Sequence, residues 1–285
     1  MSRSVRIVEV GPRDGLQNEK CNLPLDLKIQ FVNLLSESGV SEIEAGSFVS
    51  PKWVPQMEAS DSVFKQIKRH PDIVYSALVP NVRGLDRALE VRVDKVSIFT
   101  AASETFNQKN INASISESLK RLRPVATRTL KEPLPLRGYI STVFYCPYEG
   151  QMNPDACVPV IRALLEMGVG EIALSDTIGK AEPDDIRAVL DKVVSICASD
   201  KLAMHLHDTY GRATENALVA WKEYGIGTFD SAAGGLGGCP FAEGAPGNVS
   251  TENMVRAFGK AGAELSIDLD KTSEAAQLVR ELVRR

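Results

Sequence analysis

Two of the three histidines in this sequence, His205 and His207, stand two positions apart within the segment KLAMHLHDTYG at 201–211. Successive side chains of a β-strand point to opposite faces, so both imidazoles share one face. The acidic and turn-forming residues that follow at once indicate that the strand ends there. Such a pair can bind one metal ion, or it can be two unrelated polar residues at a strand end.

An arginine and an aspartate stand side by side in the segment EVGPRDGLQNEK at 9–20. They follow a strand-like run and a Gly-Pro turn, and Gly15 permits an unusual backbone angle. Arg13 and Asp14 could form only a local surface ion pair. If they lie near the histidines, Asp14 could complete a ligand set and Arg13 could hold an anionic substrate.

A glycine-rich segment, SAAGGLGGCPFAEGAPGN at 231–248, follows the last predicted strand, with six glycines in the fifteen residues from Gly234 onward. That composition costs backbone entropy, which predicts a loop that moves or lies close to a ligand. A phosphate cradle is weakly supported because GxxxxGK[ST] is absent. Cys239 offers a thiol that a loop could deliver as a proton donor or acceptor.

These side chains together suggest a mixed oxygen and nitrogen ligand set. Asp14, His205, His207 and the amide oxygen of Asn248 suit an octahedral ion such as Mg²⁺ or Mn²⁺, with positions open for substrate. Two imidazoles are also compatible with zinc or iron. The alternative is a hydrogen-bonded polar rim that binds no metal.

The elements that must position these residues are short apolar runs alternating with helix-patterned segments. Apolar residues three and four positions apart predict helices at 25–38, 158–167 and 186–197, and two more at 252–260 and 271–285. The predicted strands are 5–10, 42–45, 73–79, 93–99, 137–145, 171–174, 202–206 and 228–232.

Eight strands alternating with helices over roughly 250 residues predict an α/β fold of the (β/α)8 TIM barrel type. An open doubly wound sheet is the alternative, but no GxGxxG follows the first strand. Polar residues also gather at the C-terminal ends of the strands, where a barrel has its active site. We expect a single domain over 1–285, with the barrel over about 5–250 and a helical extension over about 251–285. The polar residues are Arg13, Asp14, Glu44, Asn81, Ser103, Glu104, Asp176, His205 and His207.

The overall composition limits which classes of partner the protein can bind. A net charge of -4 without a basic stripe argues against nucleic acid, and no run of about 18 apolar residues could cross a membrane. The first residues enter a strand pattern at once, so no signal or transit peptide is expected. Five irregularly spaced cysteines argue against a disulfide framework and favour a cytoplasmic setting.

Five motifs resemble the 3-hydroxy-3-methylglutaryl-CoA lyase family, within the metal-dependent barrel superfamily of acyl lyases and Claisen condensing enzymes. They are GPRDGLQNE at 11–19, SFVSPKWVPQM at 47–57, SDTIG at 175–179, HLHDTYG at 205–211 and GLGGCPF at 235–241. The resemblance runs from residue 5 to about 252, and the motifs keep the order and spacing of the family.

The resemblance implies roles for individual residues. Asp14, His205, His207 and Asn248 would be metal ligands for Mg²⁺ or Mn²⁺, and Arg13 would anchor a substrate oxygen. Cys239 would be the loop thiol, and Glu44 and Asp176 further polar groups of the site. Lys20 and Ser47 would lie near the acyl-CoA, and Glu9 and Glu252 would orient the ligands.

The activity implied is cleavage of (S)-3-hydroxy-3-methylglutaryl-CoA to acetoacetate and acetyl-CoA by a protein that forms a homodimer. Where such lyases commonly read SVAG before LGGCP, this chain has Ala232, Ala233, Gly234 and Gly235. A lyase for a longer 3-hydroxy-3-acyl-glutaryl-CoA is therefore the nearest alternative. Claisen condensing relatives typically lack the loop cysteine and carry a regulatory domain. A catalytically silent barrel that binds a CoA ester is the non-enzyme alternative.

Overall fold

All eight predicted apolar runs contain strands, because each combines β-branched and other apolar residues between turns. The computed structural model describes residues 4–17, 19, 21–237 and 247–283, with side chains to 280. Two further short strands, β6 (Tyr145–Cys146) and β7 (Gly150–Gln151), pair as an antiparallel hairpin. The barrel strands are β1 (Arg6–Glu9), β2 (Glu42–Ser47), β3 (Val74–Leu78), β4 (Lys95–Ala101), β5 (Leu136–Ser141), β8 (Glu171–Asp176), β9 (Leu202–Leu206) and β10 (Thr228–Ser231).

The eight barrel strands close on themselves in the order β1-β10-β9-β8-β5-β4-β3-β2, and every pair is parallel. The first strand pairs with the last, which excludes the open doubly wound sheet and confirms the predicted (β/α)8 barrel. The strand predicted at 137–145 was too long. It ends at Ser141 because Thr142 adopts a positive φ of 53°, and Tyr145 belongs to the separate hairpin.

The helices cover the outside of the barrel. Gly39 and Gly168 have φ values of +82° and +84°, as expected for residues that end helices. The helix pattern at 186–197 was predicted to have its first turn at 182–185, and the helix indeed begins at Pro183, where Glu182 and Asp185 form a capping box; it ends at Val193, before the predicted end. The helices are α1 (Leu25–Glu37), α2 (Ser60–Gln66), α3 (Val82–Glu90), α4 (Glu104–Ile111), α5 (Ile115–Lys131), α6 (Val158–Glu166), α7 (Pro183–Val193), α8 (Ala213–Tyr224), α9 (Thr251–Lys260) and α10 (Leu269–Val283).

The apolar core lies mainly between the strands and the helices, and α10 packs against α1 beside the barrel. Inside the barrel the apolar cluster is small and consists of Leu78, Tyr139, Ala173 and Ala203, with Phe99 against it. The remaining interior is largely charged. Such an interior departs from the branched aliphatic layers usual in this fold.

An ion-pair network fills the N-terminal end of the barrel. Lys95 Nζ lies 3.0 Å from Glu42 Oε2 and 2.9 Å from Glu171 Oε1, and Arg6 pairs with the same two carboxylates. Burial lowers the pKa of Lys95 to about 8, although Glu42 opposes the shift. These residues begin their strands, on the face that supports stability rather than catalysis.

Among the described residues, no helix combines the length and apolar character needed to span a membrane. The four described cysteines, Cys21, Cys146, Cys157 and Cys197, are free thiols.

Candidate active site

A wide helical turn at the end of β1 carries Arg13 and Asp14. In this turn, Gly11–Gly15, the N–H groups of Arg13, Asp14 and Gly15 all point to the carbonyl oxygen of Val10, at 3.1, 2.8 and 3.1 Å. Turns of this π type are frequent at functional sites. A Cβ at Gly15 would lie 2.9 Å from Leu236 Cβ, so the close approach of these two chain segments requires glycine there.

The end of β9 brings both predicted histidines to the side chain of Asp14. His205 Nε2 lies 3.7 Å from Asp14 Oδ2, and His207 Nε2 lies 3.8 Å from the same atom. One ligand atom from each of the three residues lies within 4.8 Å of the others, and both histidines are buried. One carboxylate and two imidazoles so close together fit a divalent metal ion.

Asn248 lies beside this cluster because its segment pairs with the end of β9. Asp208 N–H donates to Gly247 O at 2.7 Å, and Val249 N–H donates to Leu206 O at 3.1 Å. The Asn248 amide nitrogen donates to Asp14 Oδ2 at 2.9 Å and to Leu236 O at 3.2 Å. The predicted fourth ligand is therefore adjacent to Asp14, and its amide nitrogen bonds the Asp14 carboxylate.

Arg13 is buried and bonds two carboxylates at once. Its Nε donates to Glu44 Oε2 at 2.5 Å, and its Nη1 pairs with Asp14 Oδ1. Burial alone would lower the pKa of Arg13, but Glu44 and Asp14 outweigh burial and raise it. For Asp14, an acid, burial alone would raise the pKa. Arg13 and the two histidines outweigh burial and hold the pKa of Asp14 well below its ordinary value. Asp14 is thus an anion at neutral pH.

Asp176 and Ser47, two other predicted site residues, end their strands and are bonded locally. The Asp176 carboxylate accepts from Ala181 N at 2.9 Å and from Lys180 N at 3.2 Å. Burial raises its pKa to about 6, although these bonds oppose the shift. Ser47 Oγ donates to Leu78 O at 3.2 Å. Their predicted roles in catalysis and substrate binding stay predictions.

Glu9 and Glu252 bond the backbone turn Ala233–Gly235, from which the glycine-rich segment continues. Glu9 Oε1 accepts from Gly11 N and Ala233 N, both at 2.9 Å, and Glu9 Oε2 accepts from Thr251 Oγ1 at 2.6 Å. Glu252 accepts from Gly234 N at 3.0 and 3.1 Å. These carboxylates therefore position backbone around the site, and no described contact joins them to Asp14 or to the histidines.

A glutamine at position 9 should flatten the pH dependence of stability. Burial raises the pKa of Glu9 from 4.5 to about 7, although its hydrogen bonds oppose the shift. An acid with a raised pKa in the fold contributes stability below its unfolded pKa and loses it as pH rises through the folded pKa. The loss is on the order of 3 kcal/mol. We expect Glu9→Gln, measured by urea unfolding, to lack this loss between about pH 5 and pH 8.

The substitution Glu149→Gln provides the control for this experiment. A hydrogen bond from Ser103 lowers the pKa of Glu149, so it titrates below the window and its removal should leave the slope unchanged. Parallel profiles for wild type and Glu9→Gln would show that Glu9 does not titrate between about pH 5 and pH 8.

Two predicted site residues, Cys239 and Lys20, lie outside the described residues. Three residues that contact the site or support it from one layer further away were missed. His205 Nδ1 lies 3.0 Å from Asp230 Oδ2, Arg137 donates to Asp230, and the Tyr139 hydroxyl donates to Glu44 at 3.3 Å. For two of them the available signal was a charged residue within a strand, Arg137 in LRGYIS and Asp230 in TFDS.

Comparisons with known proteins agree with this geometry. The sequence profile of the HMGL-like family matches residues 4–279. The chain is 46% identical to the cytoplasmic 3-hydroxy-3-methylglutaryl-CoA lyase of Danio rerio, over 99% of this chain and 84% of that protein. It is 45% identical to the 3-hydroxy-3-isohexenylglutaryl-CoA/hydroxy-methylglutaryl-CoA lyase of Pseudomonas aeruginosa, over 98% of this chain and 93% of that protein.

The crystal structure of the HMG-CoA lyase from Brucella melitensis has the same architecture. It superposes with a TM-score of 0.97 at 44% identity and covers 99% of each chain. The similarity therefore extends over the barrel and the C-terminal helices together.

Proposed function

The chain belongs to the HMGL-like family of lyases, and from that premise we propose that it cleaves (S)-3-hydroxy-3-methylglutaryl-CoA to acetoacetate and acetyl-CoA in a metal-dependent reaction. The observation that carries the proposal is the cluster of Asp14, His205 and His207 beside Arg13 at the mouth of the barrel. The names of the relatives support the acyl-CoA substrate.

The reaction is a retro-Claisen cleavage in which atoms and charge balance. The tertiary hydroxyl of the substrate loses its proton. The bond then breaks between the carbon that bears this hydroxyl and the carbon next to the thioester carbonyl. The hydroxyl oxygen becomes the ketone of acetoacetate. The bonding electron pair forms the enolate of acetyl-CoA, which takes up one proton at carbon.

A divalent ion bound at the cluster supplies Lewis acidity, lowering the pKa of the hydroxyl and orienting substrate oxygens. Arg13 places a permanent positive charge next to the cluster and stabilises the developing oxyanion. The Asp14 carboxylate, 3.7 Å from His205, is the candidate for the first base, because the lone pair of His205 Nε2 is needed to bind the ion. Cys239 is proposed to deliver the proton to the enolate carbon.

A mixed oxygen and nitrogen set favours Mg²⁺ or Mn²⁺, with Asn248 as fourth ligand, Glu44, Asp176 and Ser47 near the substrate, and Lys20 near CoA. Free thiols support a cytoplasmic setting. The homodimer rests on the family resemblance. We further propose one domain, with α9 and α10 as its extension.

A lyase for longer acyl groups is the second candidate. The relative from Pseudomonas aeruginosa, named for both an isohexenyl and a methyl substrate, is 45% identical to this chain, against 46% for the relative from Danio rerio. So small a difference in identity does not separate the two substrate classes. The residues before the loop, Ala232 to Gly235, are where the chain departs from the usual motif.

Purified protein stripped with a chelator should lose cleavage of hydroxymethylglutaryl-CoA and regain it with Mg²⁺ or Mn²⁺. Acetyl-CoA release, followed by a coupled assay, measures this. Cleavage that is unaffected by thorough chelation would contradict metal dependence, and intact substrate after metal and reductant are added would remove the lyase assignment. An isohexenyl analogue tests the second candidate, and acetyl-CoA with 2-oxo acids tests the condensing alternative.

A further inference from the structure

Three buried side chains from three strands form one continuous line beneath the candidate metal cluster. Arg137 on β5 donates from Nη2 to Asp230 Oδ1 on β10 at 2.6 Å. The other oxygen of Asp230, Oδ2, lies 3.0 Å from Nδ1 of His205 on β9. The side chains of Arg137 and Asp230 are 0% exposed, so both partners are shielded from bulk water.

The carboxylate of Asp230 determines which nitrogen of His205 carries the proton. An ionised carboxylate only accepts hydrogen bonds, so a neutral imidazole facing it must donate from Nδ1. Nε2 then presents its lone pair to the opposite side, toward Asp14 Oδ2 at 3.7 Å. Metal-binding histidines are commonly held in this way by a carboxylate on the far nitrogen.

Arg137 in turn determines which atom of residue 230 faces the histidine. A guanidinium has donors but no acceptor, so residue 230 must offer it an oxygen. Arg137 itself is held from two further sides. Its Nε lies 3.3 Å from Glu171 Oε1, and its guanidinium lies 4.8 Å from the centre of the Tyr139 ring.

We propose that Arg137 is a positioning residue that acts through Asp230 to hold His205 as the Nδ1–H tautomer, with Nε2 directed to the metal cluster. The importance of Arg137 for catalysis rests on the proposed function, because this role requires His205 to bind a metal. The tautomer itself does not depend on the activity. Arg137 touches neither Asp14 nor either histidine in the described contacts.

The substitution Asp230→Asn separates this proposal from simple loss of packing. Asparagine has nearly the same shape, and its oxygen must face Arg137. Its NH₂ group then donates to His205 Nδ1 and drives the proton to Nε2, the wrong nitrogen for metal binding. Removing Arg137 as well would let the amide rotate, so that its oxygen again accepts from Nδ1.

The test is ¹⁵N NMR of histidine-labelled protein without metal at alkaline pH, where neutral imidazoles dominate. The chain has only three histidines. His70, whose side chain is 56% exposed, is assigned with His70→Gln. Mn²⁺ affinity by calorimetry is the second measurement. Asp94→Asn is the matched control, because Asp94 accepts from Tyr75 N at 2.9 Å and asparagine can do the same.

We expect Nδ1–H at His205 in wild type and Nε2–H in Asp230→Asn, with Mn²⁺ binding 10–100-fold weaker, roughly the cost of losing an outer-shell partner. The double variant Asp230→Asn with Arg137→Met should return to Nδ1–H and regain most of the affinity. The proposal would be overturned by the Nε2–H tautomer in wild type or by the Nδ1–H tautomer in Asp230→Asn. It would also be overturned by a tautomer change without weaker Mn²⁺ binding, or by a folded double variant that keeps the Nε2–H form.

These outcomes remain distinct from a failure of the proposed function. Wild-type protein that has the expected tautomer but binds no Mn²⁺ would reject the metal-dependent lyase and support the contact through which Asp230 fixes His205. The tautomers of the two variants would then decide the role of Arg137. If the double variant does not fold, the tautomer of Asp230→Asn still decides whether Arg137 acts as proposed, because the Nε2–H form requires the asparagine oxygen to face Arg137.

Discussion

Asp14→Asn is expected to weaken Mn²⁺ binding by at least about 100-fold and to reduce acyl-CoA cleavage by on the order of 10³-fold. Asp14 is the one anion among the three clustered candidate ligands, and its carboxylate faces both histidines at 3.7 and 3.8 Å. Asparagine keeps the shape and removes the charge, so a hard divalent ion loses its strongest donor. Calorimetric titration with Mn²⁺ and a coupled acetyl-CoA assay measure the two effects.

The substitution Asp208→Asn is the matched control for Asp14→Asn. Asp208 follows His207 directly, and its carboxylate accepts from Ala213 N at 3.0 Å, a bond that asparagine can also accept. Burial raises the pKa of Asp208 rather than lowering it, and the residue is outside the cluster. We expect wild-type Mn²⁺ binding in Asp208→Asn. Unchanged Mn²⁺ binding in Asp14→Asn would mean that the cluster is not the metal site.

Arg13→Lys is expected to lower the turnover number by about 10²–10³-fold, the range found when one oxyanion-stabilising group is removed. The guanidinium bonds Glu44 with Nε and Asp14 with Nη1, and its ring neighbour Tyr139 lies 5.3 Å away. Lysine keeps the positive charge but not the planar fork, so it cannot hold both carboxylates and a substrate oxygen in one arrangement. Mn²⁺ stoichiometry should remain at the wild-type value, because the three clustered candidate ligands are unchanged.

Arg6→Lys is the control for Arg13→Lys. It makes the same substitution within an ion-pair network, at the opposite end of the same barrel, where Arg6 pairs with Glu42 and Glu171. Its turnover number should stay within about 2-fold of wild type, because that end of the barrel contributes to stability rather than to catalysis. Equal losses in the two variants would point to a general disturbance of the barrel and against a specific role for Arg13.

Local sequence patterns determined the fold and the residues most directly tied to chemistry. Strand periodicity placed His205 and His207 on one face, and the alternation of strands and helices predicted the barrel. Strand periodicity and the alternation of elements are both properties of residues that are close in sequence. A barrel brings the C-terminal ends of its strands together independently of the loop conformations. The prediction that Asp14 would meet the histidines followed from the same geometry, and the structure places them within 4.8 Å.

Only the tertiary structure decided which groups control those residues. Arg137 and Asp230 are 93 positions apart, and Asp230 and His205 are 25 apart. No periodicity within one strand reports such a pairing, because it depends on the closure and stagger of the whole barrel. The tertiary structure also decided the downward shift of the pKa of Asp14 and the contact of Asn248 with Asp14. It likewise decided the hydrogen bonds of Glu9 to the glycine turn. Each depends on burial and on partners that meet only when β1, β9 and β10 lie side by side.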